Sequence, residues 1–454
     1  MYSEKFKILI VFIVVLFSSV CFAEDKVILD LKGCLERAVK FHPELGEYKQ
    51  DVEIYKAKLG EANAAVYPQI ELMALGGPSP EARKESISPV IKTDVKSTSI
   101  NGIFGMITMQ ILQPLYTFGK ISGYKTAAEA GIKVSEAELE KRRSEVILKT
   151  KELYWSLSMI RELRVLTNEI KEELEKVIKK TKEDLKKDIP SADEMTLYKL
   201  KTYLGEVKRN LNEIDKNEAI IIEAIKFMTG LPRNTNIEII THPLKYEEAY
   251  IKPDELISKA LVLRPEITQI KEGLRAKQAL VDVEKSNLYP QIFLLVKGTL
   301  SGATNRDRIH NPYISDPLNE SMLVAVIGLK LNIDFGITKG KIREAEIEYK
   351  KVLEKKKLAE KGIPVQIMKA YYELQEATKS ARDMDEAYQN AKKWLVTADA
   401  NIDMGIGETK DLADAVLAYA TTRVNQLKAL YNQKMAIANL LYASGLDKEE
   451  REVK

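Results

Sequence analysis

Asp411 and Asp414 stand three residues apart, one turn beyond Gly405-Ile406-Gly407, in a stretch with helical spacing. Residues three apart lie on the same helix face. Two carboxylates on one face attract cations and repel each other, so the chemistry on offer is charge selection. The plainer alternative is that Asp411 caps the helix start and Asp414 is solvated. Elsewhere reactive chemistry is thin. His42, His242 and His310 have no ligand partner at metal spacing, and no His-Glu-x-x-His occurs. Each reads as a surface or junction residue. Gly405-x-Gly407 follows a helix and lacks a third glycine, so it does not make a phosphate loop. Other carboxylate pairs abound only because the helices are charged. No catalytic residue, cofactor site or metal site is expected, and the chain does not read as an enzyme.

The elements that must position these groups come twice. His42-Pro43-Glu44-Leu45 and Tyr67-Pro68-Gln69-Ile70 return as Arg264-Pro265-Glu266-Ile267 and Tyr289-Pro290-Gln291-Ile292, both at an offset of 222. Thr117-Phe118-Gly119 meets Asp334-Phe335-Gly336, and Leu153-Tyr154-Trp155 meets Ala370-Tyr371-Tyr372, at an offset of 217. A period of half the chain means a duplicated unit rather than a short-period solenoid.

Residues 1–23 read as a secretory signal: Lys5 and Lys7, an apolar run from Ile8 to Val20, then Cys21-Phe22-Ala23 with cleavage after Ala23. Cys21 leaves lipidation open, although Val20 is bulky where a lipobox wants a small residue. Removing two Lys and one Glu takes the net charge from +3 to +2. Near neutrality with 30% charged residues argues against nucleic acid and for long solvated helical faces. Cys34 would be the only remaining cysteine, so no intrachain disulfide is possible.

The spacing predicts a mainly α fold with a small β part. The first repeat, 24–230, has a helix over 30–66, strands over 69–77 and 99–113 around a Gly/Pro/Ser-rich loop, a long helix over 120–187 and a returning helix over 192–229, with Ser191 and Glu194 as a capping box. A linker covers 231–253, where Ile237, Ile239 and Ile240 can make a short strand. The second repeat, 254–446, has strands over 291–299 and 322–333, a long helix over 339–404 and a returning helix over 408–444, before a tail at 447–454. Gly362-Ile363-Pro364 should kink or interrupt the second long helix.

Four alternating strands per chain have open edges and little core. Exposed edges are a liability in water and are excluded in lipid. A membrane barrel needs at least eight strands, so closure must come from several copies. Tyr67, Tyr116, Phe118, Tyr289 and Phe335 sit at the helix–strand junctions, where an interfacial aromatic girdle belongs. Local packing at turns is the alternative.

With these markers in order, the chain resembles the TolC-like outer membrane efflux proteins. The resemblance rests on Pro43-Glu44, Tyr67-Pro68-Gln69, Pro114-Leu115-Tyr116-Thr117-Phe118-Gly119, Ala370-Tyr371-Tyr372-Glu373-Leu374 and Met404-Gly405-Ile406-Gly407 through Asp411-Leu412, and spans residues 30–446. It implies a homotrimer with a 12-stranded barrel in outer membrane lipid, continuous with a periplasmic helical tunnel. It also implies a tip that docks a periplasmic adaptor (membrane fusion) protein serving an inner-membrane transporter. The tips would be Asp188, Ile189, Pro190 and Ser191, and Gly405, Ile406, Gly407 and Glu408. Pro190 departs from the glycine often found at the first tip, and Leu331-Asn332-Ile333 replaces Pro-Leu in the second repeat. Asp411 and Asp414 would face the tunnel and make two rings of three at its entrance, the first repeat having Glu194 and Leu197 at the matching positions. Carboxylates ~6 Å apart at an effective dielectric of ~20 repel by roughly 3 kcal/mol per pair, so a closed ring needs a cation, a proton or hydrogen bonds. The rival readings are a secreted coiled-coil structural or adaptor protein, which leaves the strands unexplained, and an exported enzyme with helical insertions, which lacks a polar pocket.

Overall fold

The structure, a computed structural model, describes residues 26–87, 90–187, 193–248, 252–306, 315–404, 406 and 409–447. In chain order it has β1 (Val27–Leu29), α1 (Leu31–Phe41), α2 (Pro43–Ala64), β2 (Gln69–Ile87), β3 (Val90–Tyr116), α3 (Lys120–Lys186) and α4 (Glu194–Met228). There follow β4 (Ile237–Ile239), α5 (Pro253–Leu263), α6 (Pro265–Ser286), β5 (Gln291–Ala303), β6 (Ser321–Lys330), α7 (Ile337–Asp403) and α8 (Thr409–Ser444). The duplication survives as element starts: 31 and 253, 43 and 265, 69 and 291 differ by 222, and 120 and 337 differ by 217. The returning helices start at 194 and 409, a difference of 215.

Several expectations are corrected. The single helix over 30–66 is two, because His42 precedes Pro43 and is held extended (φ −62, ψ 125). Arg264 before Pro265 does the same (φ −63, ψ 132). The Gly/Pro/Ser-rich stretch is strand rather than loop, since β2 runs through Pro78 to Ile87. Pro78 is tolerated because it pairs with Ile103, whose N–H and C=O are both committed to Thr304 on the other side (2.9 Å each). At such a position β2 donates nothing to β3, so a missing N–H costs no ladder bond within the chain. Pro364 does not interrupt α7; Ile363 and Ile367 beside it are buried, and that packing holds the backbone through the proline. Asp193, not Ser191, caps α4, accepting from Met195 N–H (3.0 Å) and Thr196 N–H (3.3 Å); Ser191 lies outside the described residues, as do the expected signal segment, His310 and residues 448–454.

Packing cuts across the repeats. One compact unit takes Met1–Tyr48, Glu138–Pro265 and Ala359–Lys454; the other takes Lys49–Ala137 and Glu266–Leu358. The first is helical. Its core joins Leu29, Cys34, Tyr154, Leu157, Ile225 and Ile239, and full burial of a side chain such as Leu157 contributes about 1.5–3 kcal/mol. β1 pairs in parallel with β4, Val27 opposite Ile237, tying the start of the described chain to the linker between repeats. Tyr154 donates to Ile240 C=O across that joint (2.9 Å). Glu218 meets Arg161 (2.9 Å) and Arg164, fastening α4 to α3. Gly230 and Gly445 end α4 and α8 at φ +64 and +73; a Cβ would strike Phe41 at 2.7 Å and Arg264 at 3.3 Å, so both the handedness and the close approach require glycine.

The second unit carries one antiparallel sheet in the order β2-β3-β5-β6. The two hairpins, one from each repeat, lie side by side through β3 and β5, with Ile107 opposite Leu300. Beneath the sheet, α3 ties to α6 through Arg275 and Glu129 (3.6 Å), and α6 to α7 through Lys285 and Glu346 (3.3 Å).

Candidate functional site

Register decides what the sheet offers. Ile70, Leu72 and Ala74 stand opposite Ile111, Met109 and Ile107. These stand opposite Val296, Gly298 and Leu300, and Leu294 and Gly298 stand opposite Ile327 and Leu323. Paired residues share a face, so four strands combine into one face without a charge. It is open: Ile70, Leu72 and Ile327 are 67%, 70% and 72% exposed. On β3 the apolar run goes from Ile103 to Ile111, with Asn101 and Gln113 at its two ends on the same face. Nine residues is the length that spans a bilayer as a tilted strand. The opposite face carries Glu71, Thr108, Gln110, Lys297, Thr299 and Ser301 among apolar residues. β2 and β6 each pair on one side only among the described residues.

At the helix–strand junction Tyr116 meets Phe118 edge-on (4.6 Å between centroids), and Phe118 stacks on Tyr289 (5.2 Å, 10°). Phe118 sits at φ 49, a left-handed turn that brings its ring into the stack. Tyr67 and Phe335 are exposed and stand outside it. The structure thus brings three of the five aromatics together and leaves two apart.

The tips are covered only in part. Asp188, Ile189, Pro190 and Ser191 lie outside the described residues, as do Gly405, Gly407 and Glu408. Ile406 is exposed, and its N–H donates to Asn401 C=O (3.0 Å). Asp411 and Asp414 are both exposed on the first turns of α8, while Ala415 is fully buried. The residues matched to them at an offset of 217 in the first repeat are Glu194, which is exposed, and Leu197, which is buried. The duplicated turn therefore supplies no second acidic pair.

His42 is buried at the α1–α2 junction, its ring edge-on to Phe227 at 5.3 Å; burial lowers its pKa against a smaller opposing pull from Glu44. No group of three His, Cys, Asp or Glu able to hold a metal occurs among the described residues. Nor is any described helix long and apolar enough to cross a membrane.

Against known families, the model of the outer membrane efflux proteins matches residues 34–185 and 256–446. The chain belongs to the outer membrane efflux protein family. Among solved structures, this family member is similar to the Campylobacter jejuni CmeC outer membrane channel, with TM-score 0.75, 18% identity, and 93% of this chain and 88% of that chain covered. It is also similar to Vibrio cholerae VceC, with TM-score 0.73, 14% identity, and 91% and 96% covered. The open state of Neisseria gonorrhoeae MtrE gives TM-score 0.70, 15% identity, and 92% and 89% covered. No curated protein matches by sequence. At such identities the likeness carries the fold, a TolC-like one, and the family match carries the membership.

Sequence reasoning missed the polar contacts that fasten this efflux protein's turns. Arg306 and Asp316 stand between the expected strands 291–299 and 322–333, in a stretch that carries no pattern of its own, and Glu218 is one charge among many on α4. Pairing across 10 or 57 residues leaves no local signal.

Cys34 is buried, and burial, with a smaller push from Asp30, raises its thiol from near 9 to about 12. Below pH ~9 both folded and unfolded chains keep the proton and its contribution to stability is complete. Between there and pH 12 only the unfolded thiol ionises, so stability is lost as pH rises. Cys34→Ala should therefore flatten the fall of Tm between pH 8 and 11 in melts followed by circular dichroism. An unchanged slope would remove the thiol from the account.

Proposed function

We propose that three copies close their sheets into one 12-stranded barrel in the outer membrane, the β2 edge of one copy pairing with the β6 edge of the next. The observation that carries this is the uncharged, open face spanning all four strands between two unpaired edges. In water such a face would need a cover, and no described element supplies one. Lipid covers the face, and neighbouring copies cover the edges. The polar face then lines an aqueous passage. Tyr67, Tyr116, Phe118, Tyr289 and Phe335 fall at the inner border, as an interfacial girdle requires.

The passage serves as the outer membrane channel of a tripartite export system. Small molecules or proteins reach it from an inner-membrane pump through a periplasmic adaptor docked on the helical tips. The two tips per chain give six per trimer, a geometry suited to a hexameric partner. An exported leader cleaved after Ala23 agrees with that location. The reading as a secreted coiled-coil protein without a pore leaves the apolar face unexplained.

Cross-linking in mild detergent is the test: the ladder should stop at three copies. A stable monomer or dimer with its β signal intact overturns the barrel. Bulky substitutions at Gly405 and Gly407 should abolish export while the trimer persists, and export that survives disruption of both tips would end the docking assignment.

A further inference from the structure

At the outer end of the sheet a polar knot ties three strands together. β5 ends at Ala303, and Asn305 turns the chain at φ 60. Arg306 then reaches back past β3: its Nη1 donates to Pro80 C=O on β2 (2.8 Å). The same guanidinium holds Asp316 bidentately, Nη2 to Oδ1 at 2.8 Å and Nε to Oδ2 at 3.1 Å. Both side chains are almost wholly buried, 6% and 5% exposed. Asp316 Oδ1 also accepts Leu318 N–H (3.3 Å), and Asn319 Nδ2 donates to Arg306 C=O (3.2 Å).

The face on which this knot lies is fixed by register. Ser301 pairs with Met106, and Ser79 with Gly102, so both side chains belong to the face opposite the apolar one. Ser301 Oγ donates to Pro317 C=O (2.9 Å) and accepts from Glu320 N–H (2.7 Å). The segment before β6 is thereby held on the polar face. Ser79, next to the Pro80 that Arg306 holds, is fully buried.

We infer that Arg306 and Asp316 are positioning residues that clamp the ends of the β5–β6 connection, Thr304–Arg306 and Asp316–Glu320, inward across the passage side of the sheet. In doing so they set the width of the channel's outer mouth. The inference rests on the barrel reading above. A buried bidentate pair suits that task. It holds one geometry, and losing either partner strands a buried charge, so the segment does not stay in place without both. Three copies would place three such clamps around the mouth, and the size of solute that leaves follows from that width.

Two readouts on the full-length protein separate the outcomes. Ser79→Cys gives a buried thiol next to Pro80, the residue that Arg306 holds, read by a membrane-impermeant maleimide applied to intact cells. The parent, whose buried Cys34 stays protonated far above neutral pH, is the blank. Adding Asp316→Ala should speed labelling severalfold and raise single-channel conductance in planar bilayers, with the trimer retained on semi-native gels. Should that variant fail to fold, Arg306→Met/Asp316→Leu removes both charges without stranding either and should give the same two changes. Faster labelling with unchanged conductance overturns the assignment of the mouth and leaves the barrel standing, and so does unchanged labelling. A parent that never conducts sinks the barrel reading, and the clamp's role with it.

Discussion

Ile107→Arg is expected to abolish trimer assembly in the outer membrane, while Thr108→Arg, one residue along the same strand, leaves the trimer intact. Ile107 is the middle residue of the apolar run from Ile103 to Ile111 on β3. It pairs with Ala74 on one side and Leu300 on the other, so an arginine there has no polar neighbour on its face. A charge at the bilayer midplane of a barrel costs about 2–4 kcal/mol. Three copies incur that cost in one assembly, against a typical folding stability of about 5–15 kcal/mol. Thr108 points to the opposite face, opposite Met73 and Thr299, where a cation meets water. Heat-resistant trimer on semi-native gels of outer membrane extracts is the measurement. Equal loss from both variants would show that the face assignment is wrong. Loss from Thr108→Arg alone would show that the faces are inverted.

The sheet's faces were legible because alternation is local. Ile70-Leu72-Ala74 and Leu323-Ala325-Ile327-Leu329 each declare a side without help from the rest of the chain. Their convergence on one face was not legible. It depends on β3 pairing with β5, a contact across repeats that no short-range pattern encodes. Glycine, proline and serine misled at residues 76–98, because a proline on an outer edge breaks no ladder bond within the chain and the strand runs on. The helices were read nearly to the residue where a proline or glycine punctuates them, as at Gly230 and Gly445. His42 shows the limit. Its neighbour Pro43 announces the break in the helix, but nothing local says that the ring is buried against Phe227. The carboxylate pair was visible as spacing alone.

Asp411→Ala/Asp414→Ala should lose block by a trivalent cation such as hexamminecobalt applied from the tip side, with half-block moving up at least about tenfold in concentration. Both carboxylates are exposed. In the proposed trimer, three copies would bring six carboxylates into two adjacent rings of three, with Leu197 rather than a second acid at one matching place in the first repeat. A trivalent ion between such rings meets several charges at once, whereas a monovalent ion is held too weakly to stop the current. Block of the parent should also weaken as salt rises from 0.1 to 1 M, because the Debye length falls from ~10 to ~3 Å. If Asp411 served only to cap α8, Asp411→Asn would keep the cap and the double alanine variant would lower thermal stability while leaving block unchanged. The ring assignment instead requires block to fall in Asp411→Asn/Asp414→Asn as far as in the alanine pair, with the melting temperature preserved. Block that survives in both double variants places the entrance elsewhere on the tips.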